Sequence, residues 1–171
     1  NPAAKATIFK AAPEPITGIS PGQFAALLEN AEDSIRPAIV LGGFAALRQA
    51  EIARLDWRNI DLAERVITLD AGTAKTNSRR TVMLPIAAVA WLAPLEKKSG
   101  PVLTHDAESR AAWDLCRLAA GFGPFKTSLM RSRRAQKDLS VEEVKALVAW
   151  PDNGLRHSAI SARMALSAKD A

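Results

Sequence analysis

Tyrosine is missing altogether from the 171 residues, cysteine occurs once and histidine only twice. A single cysteine excludes an internal disulfide, and flanked by Leu115 and Leu118 in a helical pattern Cys116 reads as a small core residue. His105 and His157 lie far apart in sequence without acids at ligand spacing, so no metal centre is expected. No glycine-rich phosphate loop is present, which removes support for nucleotide hydrolysis, and no cofactor is expected. Apolar runs stay well short of the ~20 residues that cross a bilayer. Asn1 to Pro15 is rich in alanine and proline but lacks the apolar centre of a secretory signal, so a cytoplasmic location without membrane attachment is the expectation.

What remains is enough for one domain. Hydrophobic residues make up 48% of the chain, and 23 Lys and Arg against 18 Asp and Glu give a net charge of +5. That balance leans toward a polyanionic partner. Arg79-Arg80, and Arg131, Arg133 and Arg134 with Lys126 and Lys137, concentrate positive charge without nearby acids in sequence. Each cluster on its own also fits a solvated face.

Prolines 2, 13 and 15 mark residues 1–19 as a linker or the end of a preceding module, leaving 20–171 as the folded unit. Ser20-Pro21 opens a helix with a capping hydroxyl and a proline at the first helical position. A second helix, apolar nearly all round, is predicted from Arg36 or Pro37 to about Leu47, with Gly42 and Gly43 permitting close packing or a break. A short helix follows near 49–55. The β-branched runs Arg65–Leu69 and Arg80–Leu84 predict an antiparallel pair joined through Asp70–Arg79. Helical patterns resume at Ile86–Leu95, Glu108–Ala120, Thr127–Asp138, Ser140–Val148 (a capping box from Ser140 and Glu143) and Gly154–Leu166. The expected fold class is α+β, mainly helical, with one small antiparallel sheet.

Three segments carry candidate chemistry. The first runs Ala46-Leu47-Arg48-Gln49-Ala50-Glu51-Ile52-Ala53-Arg54-Leu55-Asp56-Trp57-Arg58-Asn59-Ile60-Asp61; Glu51, three residues after Arg48, can pair with it on one helical face. The second places Lys75 between the predicted strands, ahead of Arg79 and Arg80. The third is Trp150-Pro151-Asp152-Asn153-Gly154-Leu155-Arg156-His157-Ser158. There Asp152 or Asn153 can cap a helix whose first turn carries Arg156, a geometry suited to an anion.

In order and spacing these segments resemble the catalytic domain of the tyrosine recombinases, the phage integrase family. The resemblance covers about Ile16 to the C-terminus. It implies the fold of a DNA breaking-rejoining enzyme, double-stranded DNA as partner, and site-specific strand cleavage and rejoining through a 3′-phosphotyrosyl intermediate, with neither metal nor ATP. It further implies catalytic roles for Arg48, Lys75, Asn153 and Arg156. Lys75 would be the general acid that protonates the departing 5′ oxygen. DNA contact would come from Arg48, Lys75, Arg79, Arg80 and Arg156, with Glu51 and His157 in support. The full-length protein would work as a homo-oligomer, a tetramer, on DNA. One departure stands out: the family's box reads His–x–x–Arg, and here Asn153 holds the first position. An amide donates a hydrogen bond to a phosphate oxygen but does not shuttle a proton near neutral pH. The resemblance also implies a nucleophilic tyrosine beyond Ala171, so the chain is expected to be a fragment inactive alone. Two other readings remain open: a non-catalytic DNA-binding protein derived from such an enzyme, and a helical interaction protein whose motifs coincide by chance. The last requires Arg48, Lys75 and Arg156 to lie far apart.

Overall fold

The computed structural model describes residues 18–70, 79–126 and 129–167. Among them are eight α-helices and one sheet: α1 (Pro21–Asn30), α2 (Arg36–Ala45), α3 (Gln49–Ile52), β1 (Ile60–Asp61), β2 (Val66–Leu69), β3 (Arg80–Met83), α4 (Ile86–Leu92), α5 (Ala107–Ala119), α6 (Met130–Lys137), α7 (Val141–Ala146) and α8 (Gly154–Ser167). The mainly helical α+β architecture predicted from the sequence is the one found.

α2 is the hub. Pro37, Ala38, Ile39, Val40, Leu41, Gly42 and Ala45 are all buried, and α1, α3, α4 and α8 pack around it. Each fully buried Leu or Ile here contributes roughly 1.5–3 kcal/mol, so this all-round apolar helix fixes where its neighbours sit. The glycines serve close packing, and the helix runs through them unbroken. A Cβ on Gly42 would meet Leu155 of α8 at 3.1 Å, and one on Gly43 would meet the Phe24 ring at 2.2 Å.

α2 does not continue to Leu47 as the pattern suggested. It stops at Ala45, and Ala46 turns left-handed with φ 55°. Nothing in an alanine announces that turn, since its Cβ makes the conformation unfavourable. The following residues, Leu47-Arg48, thereby leave the helix and enter α3.

The sheet is antiparallel in the order β1-β2-β3; β1 escaped prediction because it is only two residues long. Ile67 and Leu69 point into the core. Arg80 pairs with Leu69 and Val82 with Ile67, and both are more buried than their neighbours Thr81 and Met83. Period-2 alternation therefore turns Arg80 inward rather than out to solvent. The predicted turn over 70–79, with Lys75 in it, lies largely outside the described residues.

Two predicted start signals are realised: Ser20 caps α1 in a full capping box with Gln23, and Ser140 and Glu143 do the same for α7. Asp106, not singled out in the sequence, accepts the Ser109 N–H ahead of α5. Cys116 is buried, its thiol donating to the Leu27 carbonyl at 3.2 Å, and burial pushes its pKa up to about 12. It is the inert core thiol expected. No helix among the described residues is long and apolar enough to cross a membrane.

Candidate active site

The first segment divides into a structural half and a chemical half. Leu55, Trp57 and Ile60 are buried, while Asp56 accepts from the Arg58 amide at 2.9 Å and the Gly100 amide at 3.1 Å. The Trp57 N–H donates to the Gly100 carbonyl at 2.9 Å, and the Val102 N–H to the Leu55 carbonyl at 2.9 Å. These bonds anchor the segment to the chain at 100–102. Arg48 and Glu51, at the other end, form the charged apparatus.

Glu51 is fully buried, and a buried carboxylate must be hydrogen-bonded to remain ionised. It accepts from the Arg48 backbone N–H at 2.9 Å and from the Arg48 guanidinium at 3.2 Å. Arg80 approaches from β3 and clamps both carboxylate oxygens, each at 2.9 Å. Burial pushes the Glu51 pKa up, but the Arg80 hydrogen bonds, the Arg48 amide, the Arg80 charge and the Arg48 guanidinium hydrogen bond together outweigh it and hold the pKa below its ordinary value. The Arg48–Glu51 pair was expected; Arg80 as its third member was not. Its guanidinium, assigned to DNA from the sequence, is occupied by Glu51.

Nor are the arginine clusters free of acids in space, as the linear sequence suggested. Arg79 lies 3.7 Å from Asp70 and Arg131 2.5 Å from Glu32. Arg79 meets Asp70 across the base of the predicted hairpin, whereas Arg131 meets Glu32 only through a contact distant in sequence.

Arg156 enters from α8. Its guanidinium donates to the Ala46 carbonyl, the left-handed residue that ends α2. Burial comes first, then the Arg48 and Arg80 charges, in holding its pKa below the ordinary arginine value, against the pull of Glu51. An arginine does not give up its proton under these conditions; the shift reports a cation that is partly buried first and placed beside other cations second. Three guanidinium groups and one carboxylate leave two positive charges here, and an anion would relieve their repulsion.

α8 itself is fastened by Ser158. Its Oγ accepts the Ile19 N–H at 2.6 Å and lies 2.9 Å from both the Ile19 and Gly154 carbonyls, to one of which it donates. The expected side-chain cap is absent: among the described residues neither Asp152 nor Asn153 bonds an amide of α8 through its side chain. Asn153 instead takes φ 52°, a conformation asparagine tolerates better than most residues, and its carbonyl accepts the first helical bond, from the His157 N–H, at 3.0 Å.

Arg48, Glu51, His105, Asn153, Arg156 and His157 line one open cleft of about 810 Å³. The coincidence reading needs Arg48, Lys75 and Arg156 far apart; Arg48 and Arg156 share this cleft, against it, and Lys75 is outside the comparison. His105 sits in the loop before α5, and its place on the cleft was not foreseen; being one of two histidines is no signal of position. Lys75 lies outside the described residues. Among those described, no cluster of His, Cys, Asp or Glu could hold a metal ion.

The chain matches the model of the phage integrase family over residues 19–165. No curated protein matches it. The solved structure of XerA recombinase superimposes on it with a TM-score of 0.53 at 13% identity, covering 96% of this chain and 67% of that one. At that identity the likeness is one of fold.

Proposed function

The chain belongs to the phage integrase family, and on that premise we propose that it binds double-stranded DNA and prepares one phosphodiester for the strand cleavage of site-specific recombination. The observation that carries the reading is the convergence of Arg48 and Arg156 on one cleft, each fixed by a different part of the fold. Phosphoryl transfer builds negative charge on the non-bridging oxygens, and guanidinium groups fixed in advance stabilise it without reorganising. Glu51 and Arg80 hold Arg48 in position. Asn153 donates a hydrogen bond to the phosphate. Lys75, between β2 and β3 in the chain, protonates the departing 5′ oxygen, a role for which an ammonium on a long stem has the reach.

The attacking oxygen in this chemistry is a tyrosine phenolate, and none of the 171 residues is a tyrosine. The reading therefore gives these residues phosphate binding and leaving-group protonation, and gives attack to a tyrosine outside them. The phosphorus–oxygen bond to the 5′ oxygen breaks as that to the phenolic oxygen forms, and a 5′ hydroxyl reverses the exchange. Assembly of several copies on DNA belongs to the same proposal.

A second reading, DNA binding without cleavage, is favoured by Asn153, which leaves the His–x–x–Arg position without a proton carrier. The discriminating experiment expresses the protein with whatever its gene encodes past Ala171. It is incubated with nicked duplex DNA drawn from the sequence flanking its own gene and run on a denaturing gel. A covalent adduct lost in Arg48→Ala and in Arg156→Ala supports the cleavage reading. DNA binding without an adduct, in a chain that carries a tyrosine, leaves the binding reading.

A further inference from the structure

α6 is one-sided in charge. Its eight residues, Met130–Lys137, include Arg131, Arg133, Arg134 and Lys137 and no acid. Packing accounts for the opposite side of the helix. Ser132 is buried, Gln136 accepts the Phe125 N–H at 2.7 Å, and the helix lies against α5. All four cations are exposed. Arg131 is paired with Glu32; among the described residues Arg133, Arg134 and Lys137 have no ion pair. Lys137 stands three and four residues from the two arginines, so like charges share a face and repel. The C-terminal end of α6 favours Arg134 and Lys137, but among the described residues no ion pair offsets the repulsion, whereas a polyanion would.

Position identifies the polyanion. The stretch leading into α6 contributes Lys126 and Leu129 to a cavity of about 400 Å³, which Arg110 and Arg117 also line. Gln49 and His105 line both this cavity and the arginine cleft. Arg110 and Lys126 thus stand beside the arginine cleft, together with Asp114, which pairs with Arg117, and Leu129 on the same wall immediately precedes α6. We infer that α6, with Lys126 and Arg110, is a second DNA-contacting surface that tracks backbone phosphates flanking the one held in the cleft. Continuity with a phosphate site favours a nucleic-acid backbone over an acidic protein surface. The inference rests on the DNA reading above.

The test is a fluorescence-anisotropy titration of a short DNA duplex with the chain over a range of salt concentrations. Neutralising three phosphate contacts changes the slope of log affinity against log salt by about 0.9 each. The variant Arg133→Ala/Arg134→Ala/Lys137→Ala is therefore expected to flatten the slope by about two to three and to weaken binding at least about tenfold near 0.1 M salt. Arg133→Lys/Arg134→Lys keeps the slope, because a point charge suffices for a phosphate. A control removing three exposed cations elsewhere, Arg65→Ala/Lys97→Ala/Lys98→Ala, is expected to leave it nearly unchanged. An unaltered slope in the α6 variant, with Arg156→Ala still weakening binding, overturns this surface but leaves the DNA reading intact. Equal losses in the α6 variant and the control overturn it too, as generalised charge. Failure of the unaltered chain to bind the duplex at any salt overturns the DNA reading and this inference with it.

Discussion

Arg48 and Arg156 reach the same cleft by opposite means. Arg48 stands on a turn and is held by a buried carboxylate, which also anchors its backbone N–H and draws in Arg80 from the sheet. Arg156 stands on α8, which is held by close contact with α2 and by the Ser158 hydroxyl, and its guanidinium rests on a neutral carbonyl. One arginine is placed by charge and the other by shape. The first should answer to substitutions that change charge and to pH, the second to substitutions that change volume.

The largest expected effect is on the side placed by charge. Glu51→Ala strips the carboxylate from two guanidinium groups and leaves the Arg48 amide without its acceptor. Removing one partner from a buried ionic network costs 3–5 kcal/mol in general. Arg48 and Arg80 are about a third exposed, so water can rescue them in part. The expected loss is about 3 kcal/mol in urea unfolding, near the lower end of that range. Arg156→Ala, by contrast, should cost about 1 kcal/mol, the net worth of one hydrogen bond. The pH dependence follows in sign. A carboxyl whose folded pKa lies below its ordinary 4.5 contributes stability that is fully present above that value and lost as pH falls through the folded pKa. Unfolding curves taken below pH 4.5 should show this loss in the unaltered chain and a flatter profile in Glu51→Gln. Equal slopes for the two proteins would mean that Glu51 does not hold the turn by charge.

Volume tests the other arginine. A Cβ at position 42 would meet the Cβ and Cδ1 of Leu155 at 3.1 Å, one residue before Arg156. Gly42→Leu must push α8 from α2, and overpacking of this kind costs about 1–3 kcal/mol. Because Leu155 and Arg156 are adjacent, the shift should also draw Arg156 off the Ala46 carbonyl and weaken binding of a DNA duplex. Arg48 should stay in place. A comparable loss of stability with duplex affinity unchanged would show that Arg156 does not depend on this helix contact.

The same contrast explains what could be read in the sequence. Helix starts were legible where a side chain caps them, as at Ser20 and Ser140, because capping is local chemistry. The burial of α2 followed from its composition, and Glu51 as partner of Arg48 from helical spacing. What escaped depends on contacts distant in sequence. Arg80 meets Glu51 only because β3 returns beside α3, 29 positions away in the chain. Arg131 meets Glu32 across 99 positions, and His105 reaches the cleft through a loop whose course no local pattern dictates. The end of α2 failed for another reason: Ala46 is a good helix former placed in a conformation that its side chain disfavours. Local preference there gives way to the Leu41 carbonyl, which accepts the amides of Ala46 and Leu47.

That strained alanine has a counterpart at the start of α8, and the pair supplies the smallest test. Ala46 ends α2 at φ 55° and Asn153 precedes α8 at φ 52°, so each arm of the site turns on a left-handed residue. An ordinary side chain there costs roughly 1–2 kcal/mol, which asparagine partly escapes through its short polar side chain. Asn153→Ala should therefore destabilise the fold by about 1 kcal/mol, although Asn153 is exposed and makes no side-chain hydrogen bond among the described residues. Asn153→Gly should be nearly neutral. At Ala46 the balance differs, because glycine relieves the strain but removes a buried methyl worth about 0.8 kcal/mol. Glycine's greater freedom in the unfolded chain costs about another 0.4–1 kcal/mol, so Ala46→Gly should change stability by less than about 1 kcal/mol in either direction. Urea unfolding of the three variants resolves these differences. A loss in Asn153→Gly equal to that in Asn153→Ala would mean that the asparagine amide, rather than its backbone angle, holds the start of α8.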